Sequence, residues 1–167
     1  MRTLRGACLA VAAVAGLSLA GCRIDESIGA TCSTSPPTPH SQFGTVDVSL
    51  DTPLSVVAGT SFTITVDHMT GYPGPPGQDG GSFPSGVLSV TGAVSPAGNV
   101  AVGESLFGGE PFPNVREFTA TGRPGDVIVL AAVRGSSFQG SFPQGVLATC
   151  DAGGYVLAEI EVVAPPD

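Results

Sequence analysis

Val46-Asp47-Val48-Ser49-Leu50-Asp51 and Phe62-Thr63-Ile64-Thr65-Val66-Asp67 decide the fold of this 167-residue chain. In both stretches apolar residues, mostly β-branched, alternate with short polar ones, and a period of two places alternate side chains on opposite faces of an extended strand. Pro53 and Ala58-Gly59 lie between them and supply the turn. The pair therefore reads as two half-buried strands. Working outward, the pattern predicts further strands over residues 87–91, 115–121, 126–133, 146–150 and 155–163. In the last of these Val156, Ala158, Ile160 and Val162 share one face, with Glu159 and Glu161 on the other. Residues 127–133 are continuously apolar, as expected of a central strand covered on both sides or lying at a sheet-sheet interface. Past residue 21 no segment sustains a 3.6 period, and 24 glycines with 15 prolines punctuate the chain about as often as an all-β fold needs turns. The expectation is an all-β fold, an antiparallel β-sandwich. A small closed β-barrel is the alternative, because periodicity does not separate a sheet packed on another from a sheet closed on itself.

Composition narrows the function classes. Fourteen Asp and Glu stand against six basic residues, all arginine, for a formal charge of −8 at pH 7. Such a surface repels phosphate backbones and anionic head groups, which argues against nucleic acid as a partner. The length suits one domain.

The amino terminus has its own grammar. Arg2 and Arg5 precede an uncharged run over residues 7–19, too short to span a hydrocarbon core of about 20 residues. The run closes on Leu19-Ala20-Gly21-Cys22. This resembles a bacterial lipoprotein signal peptide, in which an aliphatic residue and two small ones precede an acceptor cysteine. The resemblance implies that residues 1–21 are removed and that Cys22 carries a diacylglyceryl thioether as the first residue of the mature chain. It also implies a protein anchored on the exported side of the cell envelope. Stable anchoring takes about two acyl chains, which a lipidated Cys22 meets. Arg23, rather than an aspartate, follows Cys22, which by the same resemblance favours the outer membrane, or the outer leaflet if there is a single membrane. An ordinary secretory signal cleaved near Ala20 is the alternative. Residues 22–42, with Ser33-Thr34-Ser35-Pro36-Pro37-Thr38-Pro39 at their centre, then read as a lipidated, extended tether, and residues 43–167 as the sandwich domain.

On that reading Cys8 leaves with the leader and Cys22 is consumed by lipid. Cys32 and Cys150 remain, and in an oxidising compartment they are expected to pair, stapling the tether to a late strand. A redox or metal site at these cysteines would need CxxC spacing or a neighbouring histidine, and neither is present. Asp151-Ala152-Gly153-Gly154-Tyr155 resembles the tyrosine corner of immunoglobulin-like domains, and residues 46–66 are similar to the opening strands of bacterial Ig-like repeats. The resemblance implies an Ig-like sandwich whose Tyr155 hydroxyl bonds back to the corner backbone.

Candidate functional residues lie between the strands. Gly81-Ser82-Phe83-Pro84-Ser85-Gly86-Val87-Leu88 recurs as Gly140-Ser141-Phe142-Pro143-Gln144-Gly145-Val146-Leu147, with seven of eight positions matching. Two equivalent loop-to-strand entries explain the echo structurally. A functional reading is that Phe83, Phe107, Phe112, Phe138 and Phe142, all outside the best strands, line one apolar region, with Tyr72 in the 70–84 segment at its rim. For catalysis, His40 lies in the tether and His68 beside Asp67, so only one histidine is available to a nucleophile-base-acid set. Asp67, Asp79, Glu104 and Glu110 lie in or near loops, where a carboxylate dyad stays open because the sequence does not set their separations. A copper site at His68-Met69 lacks further ligands, calcium at Asp79 lacks a loop motif, and the absence of tryptophan weakens sugar binding. The expectation is a non-enzymatic, lipid-anchored module without catalytic residues, metal or cofactor, presenting its loops to a protein partner. Carriage of a small apolar ligand is the alternative from another class, and an envelope hydrolase trails both.

Overall fold

The computed structural model describes residues 21–35, 43–73, 85–103, 112–139 and 146–166. These residues are all-β, with ten strands: β1 (Gly21–Ser35), β2 (Gly44–Pro53), β3 (Ser55–Val57), β4 (Ser61–Pro73), β5 (Ser85–Gly92), β6 (Val94–Ser95), β7 (Gly98–Gly103), β8 (Asn114–Ala120), β9 (Val127–Gln139) and β10 (Val146–Val163). They form one continuous sheet in the order β6-β8-β4-β2-β1-β10-β9-β5-β7, antiparallel except where β3 runs parallel to β10. The sheet curls into a half-barrel. Of the two expected architectures, the barrel-like one describes it better than a pair of separate sheets.

β1 makes the curl. Its residues 21–30 pair with β2, and residues 31–35 pair with β10, so one strand belongs to both halves of the sheet. This corrects the expected tether over residues 22–42. Cys22, Ile24, Ile28 and Cys32 alternate with exposed neighbours and are buried, so the first part of that segment is a core strand with the same period two as the rest. Residues 36–42 lie outside the described residues. At the opposite seam β8 faces β7. There the Gly103 N–H donates to Asn114 Oδ1, and the Arg116 guanidinium donates to the Ala101 carbonyl at 3.3 Å. Side chains thus bridge a gap that ladder hydrogen bonds leave open.

The interior is aliphatic. Leu50, Ile64 and Val66 from one half meet Val90, Leu130 and Ile160 from the other, all essentially inaccessible, and each such side chain contributes roughly 1.5–3 kcal/mol on burial. Phe62 and Phe118 stack with ring centroids 5.8 Å apart. The apolar run 127–133 is central, between β10 and β5, with Ile128, Leu130 and Ala132 turned inward. A register shift between Ser49 and Leu50 of β2 places both Asp67 and His68 of β4 off the core face, resetting the alternation so that Met69 and Gly71 point inward. β4 therefore continues to Pro73, and residues 70–73 are strand rather than the start of a loop.

Asp151 to Tyr155 forms a bulge within β10 rather than a corner between strands. Gly153 and Gly154 adopt positive φ (64° and 72°), and the Gly153 N–H donates to Asp151 Oδ1 at 2.7 Å. Tyr155 is exposed, so the corner implied by the Ig-like resemblance is not formed. A bulge and a corner both call for an Asp beside left-handed glycines, which is why the local motif does not separate them.

Candidate functional site

Strand direction sorts the connections into two groups. At the end where β1 begins, the links 54–60, 93–97 and 121–126 are short and fully described. At the other end β1, β4, β7 and β9 finish while β2, β5, β8 and β10 start. The register confirms the grouping: Gly44 lies opposite Ala30 and Pro73, Ser85 opposite Gly103 and Ser136, and Leu147 opposite Ser35 and Phe138. Every connection at this end includes residues outside the described ones, namely 36–42, 74–84, 104–111 and 140–145.

Cys32 and Cys150 face each other at the same end and form a disulfide across a sequence separation of 118. The bond sits where β1 has just exchanged β2 for β10. It therefore pins the crossover, joining two strands rather than a tether and a strand. Beside it the two halves of the sheet come very close. A Cβ on Gly71 would lie 2.9 Å from the Gly135 carbonyl oxygen, and one on Gly135 would lie 2.9 Å from the Gly71 nitrogen, so only glycine fits at either position.

Of the residues expected to line an apolar region, Phe83, Phe107 and Phe142 lie outside the described residues. Tyr72 and Phe138 hold strand positions at the disulfide end, opposite Thr45 and Leu147 respectively. Phe112 is half-buried against the core, its ring 6.2 Å from that of His68. Phe43, which the sequence reading used only as a boundary, is among the described residues the most exposed large apolar side chain, at 77%, and stands at this same end. Its exposure has a signal in the sequence: Phe43 precedes the alternating run and belongs to neither of its faces. The strand portions of the octapeptide echo enter on either side of β9, as β5 and β10, in the same direction. That is the geometry of two equivalent strand entries.

Near the opposite end the outer face of the sheet carries an ion-pair network. Arg23 donates to Asp67, to Asp51 at 3.1 Å and to Ser49 at 2.5 Å, and lies 3.4 Å from Asp25. Ser49 in turn donates to Asp25 at 2.6 Å. The hydrogen bond to Asp67, reinforced by Asp51 and Asp25, raises the Arg23 pKa above its ordinary value despite some opposing desolvation. The network ties β1 to β2 and β4, and it occupies Asp67, the carboxylate nearest His68 in sequence. His68 itself is half-buried at a bulge within β4. Asp79, Glu104, Glu110 and His40 lie outside the described residues. Among the described residues no three His, Cys, Asp or Glu side chains group as metal ligands would.

Cys22 is the second residue of β1, opposite Thr52 of β2, and only 4% exposed. It is disulfide-bonded. Thioether formation and that disulfide exclude each other. The thioether that the lipoprotein resemblance implies would require that bond to be open. Between the sheet halves, Ile64, Val66, Leu88, Val90, Val102 and Leu130 pack together and, among the described residues, leave no cavity of ligand size. In comparisons with known proteins the chain matches no family model, no curated protein and no solved structure.

Proposed function

We propose that this chain is a lipid-anchored, non-enzymatic cell-envelope module that holds Gly/Pro/Phe-rich segments away from its membrane for contact with a protein partner. The observation that carries the reading is polarity: Cys22 lies at one end of the half-barrel, and the strand ends bounding all four of those segments lie at the other. The disulfide and the Gly71–Gly135 approach support it by stiffening the far end from which the segments depart. Carriage of an apolar ligand is the second reading. The filled interior moves any such ligand out among the far-end segments.

Two measurements test the proposal. Cells supplied with an alkyne-bearing fatty acid are expected to label the wild-type protein and not Cys22→Ser, and label that survives this substitution refutes the anchor. Phe83→Ser with Phe142→Ser is expected to leave the thermal midpoint unchanged, because partner-facing side chains contribute little to the fold; loss of the folded state assigns both to the core instead. Native mass spectrometry separates the second reading by a co-purifying lipid-sized mass.

A further inference from the structure

We propose that the outer face of the β10-β9-β5-β7 half of the sheet is the contact between two copies of this chain, packed sheet on sheet. The inference is independent of lipidation at Cys22.

A strand with one wet face alternates, and β9 over residues 127–133 does not. Ile128, Leu130 and Ala132 fill the interior, so Val127, Val129 and Ala131 point the other way, and none of these three belongs to the packed core. The register carries this second apolar stripe onto the neighbouring strands. Ala131 lies between Ser89 of β5 and Val156 of β10, and Val87 of β5 lies beside Ala101 of β7. Val127 is 41% exposed and Val156 48%. Among the described residues no element covers this face: β9 meets β10 and β5 beside it, and β4 and β2 across the interior.

Charge separates this face from its counterpart. On the β1-β2-β4-β8 half, the outer face bears Arg23, Asp25, Asp47, Asp51, Asp67 and Glu117. By contrast β5 and β7 contain no charged residue, nor does β9 before Arg134. The acids of this half, Asp151, Glu159 and Glu161, all stand on β10, along one border. In a chain of net charge −8, a neutral apolar field with charge at its edge has the make-up of an interface core and its rim.

The arrangement identifies a second copy as the occupant. Two sheets of the same right-handed twist stack aligned, about 10 Å apart. A two-fold axis parallel to the strands, between β5 and β9, lays β9 of each copy on β5 of the other and β10 on β7. The acidic border of one copy then overlies a strand without charge, so like charges do not meet, and the small side chains of Val87, Ser89, Val129 and Ala131 close the centre. Four strands about 4.8 Å apart, over eight residues of about 3.3 Å, give each copy a face of roughly 500 Å². The total of roughly 1,000 Å² lies at the lower bound for a specific interface, which makes the association reversible rather than obligate.

Sedimentation equilibrium of the full-length protein in neutral detergent, with the micelle matched in density, tests the proposal. The wild type is expected to show a monomer-dimer equilibrium that strengthens as salt screens the acidic flanks. Ala131→Glu and Ser89→Glu each set unpaired carboxylates at the centre of the contact and should weaken the dimer at least about 100-fold. Val115→Glu, at a position 58% exposed on the outer face of the other half, should leave the equilibrium unchanged. A wild type that stays monomeric overturns the proposal. So does a dimer that salt dissociates, that Val115→Glu disrupts equally, or that survives both central substitutions, the last being the pattern of two chains that merely share a micelle. Far-UV circular dichroism identifies a variant that has lost its fold, in which case the other decides; loss of the fold in both assigns the two positions to the monomer's own packing and overturns the proposal as well.

Discussion

Gly135→Ala tests the close approach of the two sheet halves. The new Cβ would lie 2.9 Å from the Gly71 nitrogen, 3.1 Å from its Cα and 3.3 Å from Val46 Cγ1. Two of these neighbours are backbone and have no rotamer to escape into, so the halves must part by several tenths of an ångström, loosening packing beside a buried disulfide. Overpacking of this kind costs about 1–3 kcal/mol. Against it, replacing glycine by alanine narrows the unfolded ensemble, a gain of about 0.4–1 kcal/mol where the native conformation tolerates alanine. Balanced against each other, the two give a net loss of about 0–2.6 kcal/mol. The control is Gly29→Ala in β1, whose Cβ meets nothing within 4 Å and which therefore retains only the gain. Urea titrations followed by far-UV circular dichroism should place Gly135→Ala below wild type and Gly29→Ala at or above it, with an unchanged slope. Combining Gly71→Ala with Gly135→Ala should cost less than the sum of the two, since the second Cβ enters a gap the first has opened. Equal stability of Gly135→Ala and Gly29→Ala would refute the close approach.

Other predictions follow from the strap, the seam and the ion pairs. Replacing Cys32 and Cys150 together by serine frees a loop of 118 residues; chain entropy gives about 5 kcal/mol and delivered values about 2–4, so the urea midpoint should fall accordingly, while alkylation of the non-reduced wild-type protein should label neither residue. Asn114→Leu leaves the buried Gly103 N–H without its acceptor and should cost about 1–3 kcal/mol, with faster hydrogen exchange at that amide. Arg23→Gln should lower stability slightly, and the difference should vanish in about 1 M salt, where the screening length falls to about 3 Å. Because the folded-state pKa of Arg23 is raised, its contribution is fully present below the ordinary arginine value and is lost only above it, so the effect of Arg23→Gln should stay flat across the neutral and mildly alkaline range.

Most of the sheet was legible because its strands are half-buried. Alternation locates β2, β4, β5, β8 and β10, since each has a wet face and a dry one, and the continuous apolar run 127–133 locates β9. β1 was hidden by its neighbours. The Ser/Thr/Pro cluster that begins at Ser33 and the cysteine at its start both speak for a tether, although Cys22, Ile24, Ile28 and Cys32 keep strict even spacing. β7 was missed because Val100 and Val102 are too few between Gly98 and Gly103 to establish a period. Strand order is a different matter. Nothing in a period of two says that β1 pairs with the last strand as well as the next, or that β8 turns back to face β7. The disulfide is expected from cysteine count and the compartment that the lipoprotein resemblance implies, without any knowledge of which strands it joins. Clustering of the strand ends at the disulfide end is a property of direction and pairing, and only the assembled sheet reveals it.

The strand shared by both halves has a consequence for biogenesis. Of the described strands β1 emerges first and β10 last, so five residues of β1 wait for a partner until β10 has been made. Until then the curl stays open, with an unsatisfied edge at its centre and an interior exposed to water. A nascent chain that stops short of residue 146 has no route to a closed fold, whatever its local propensities. The protein is built to remain threadable while it is being made and to become rigid only when β1 and β10 have met.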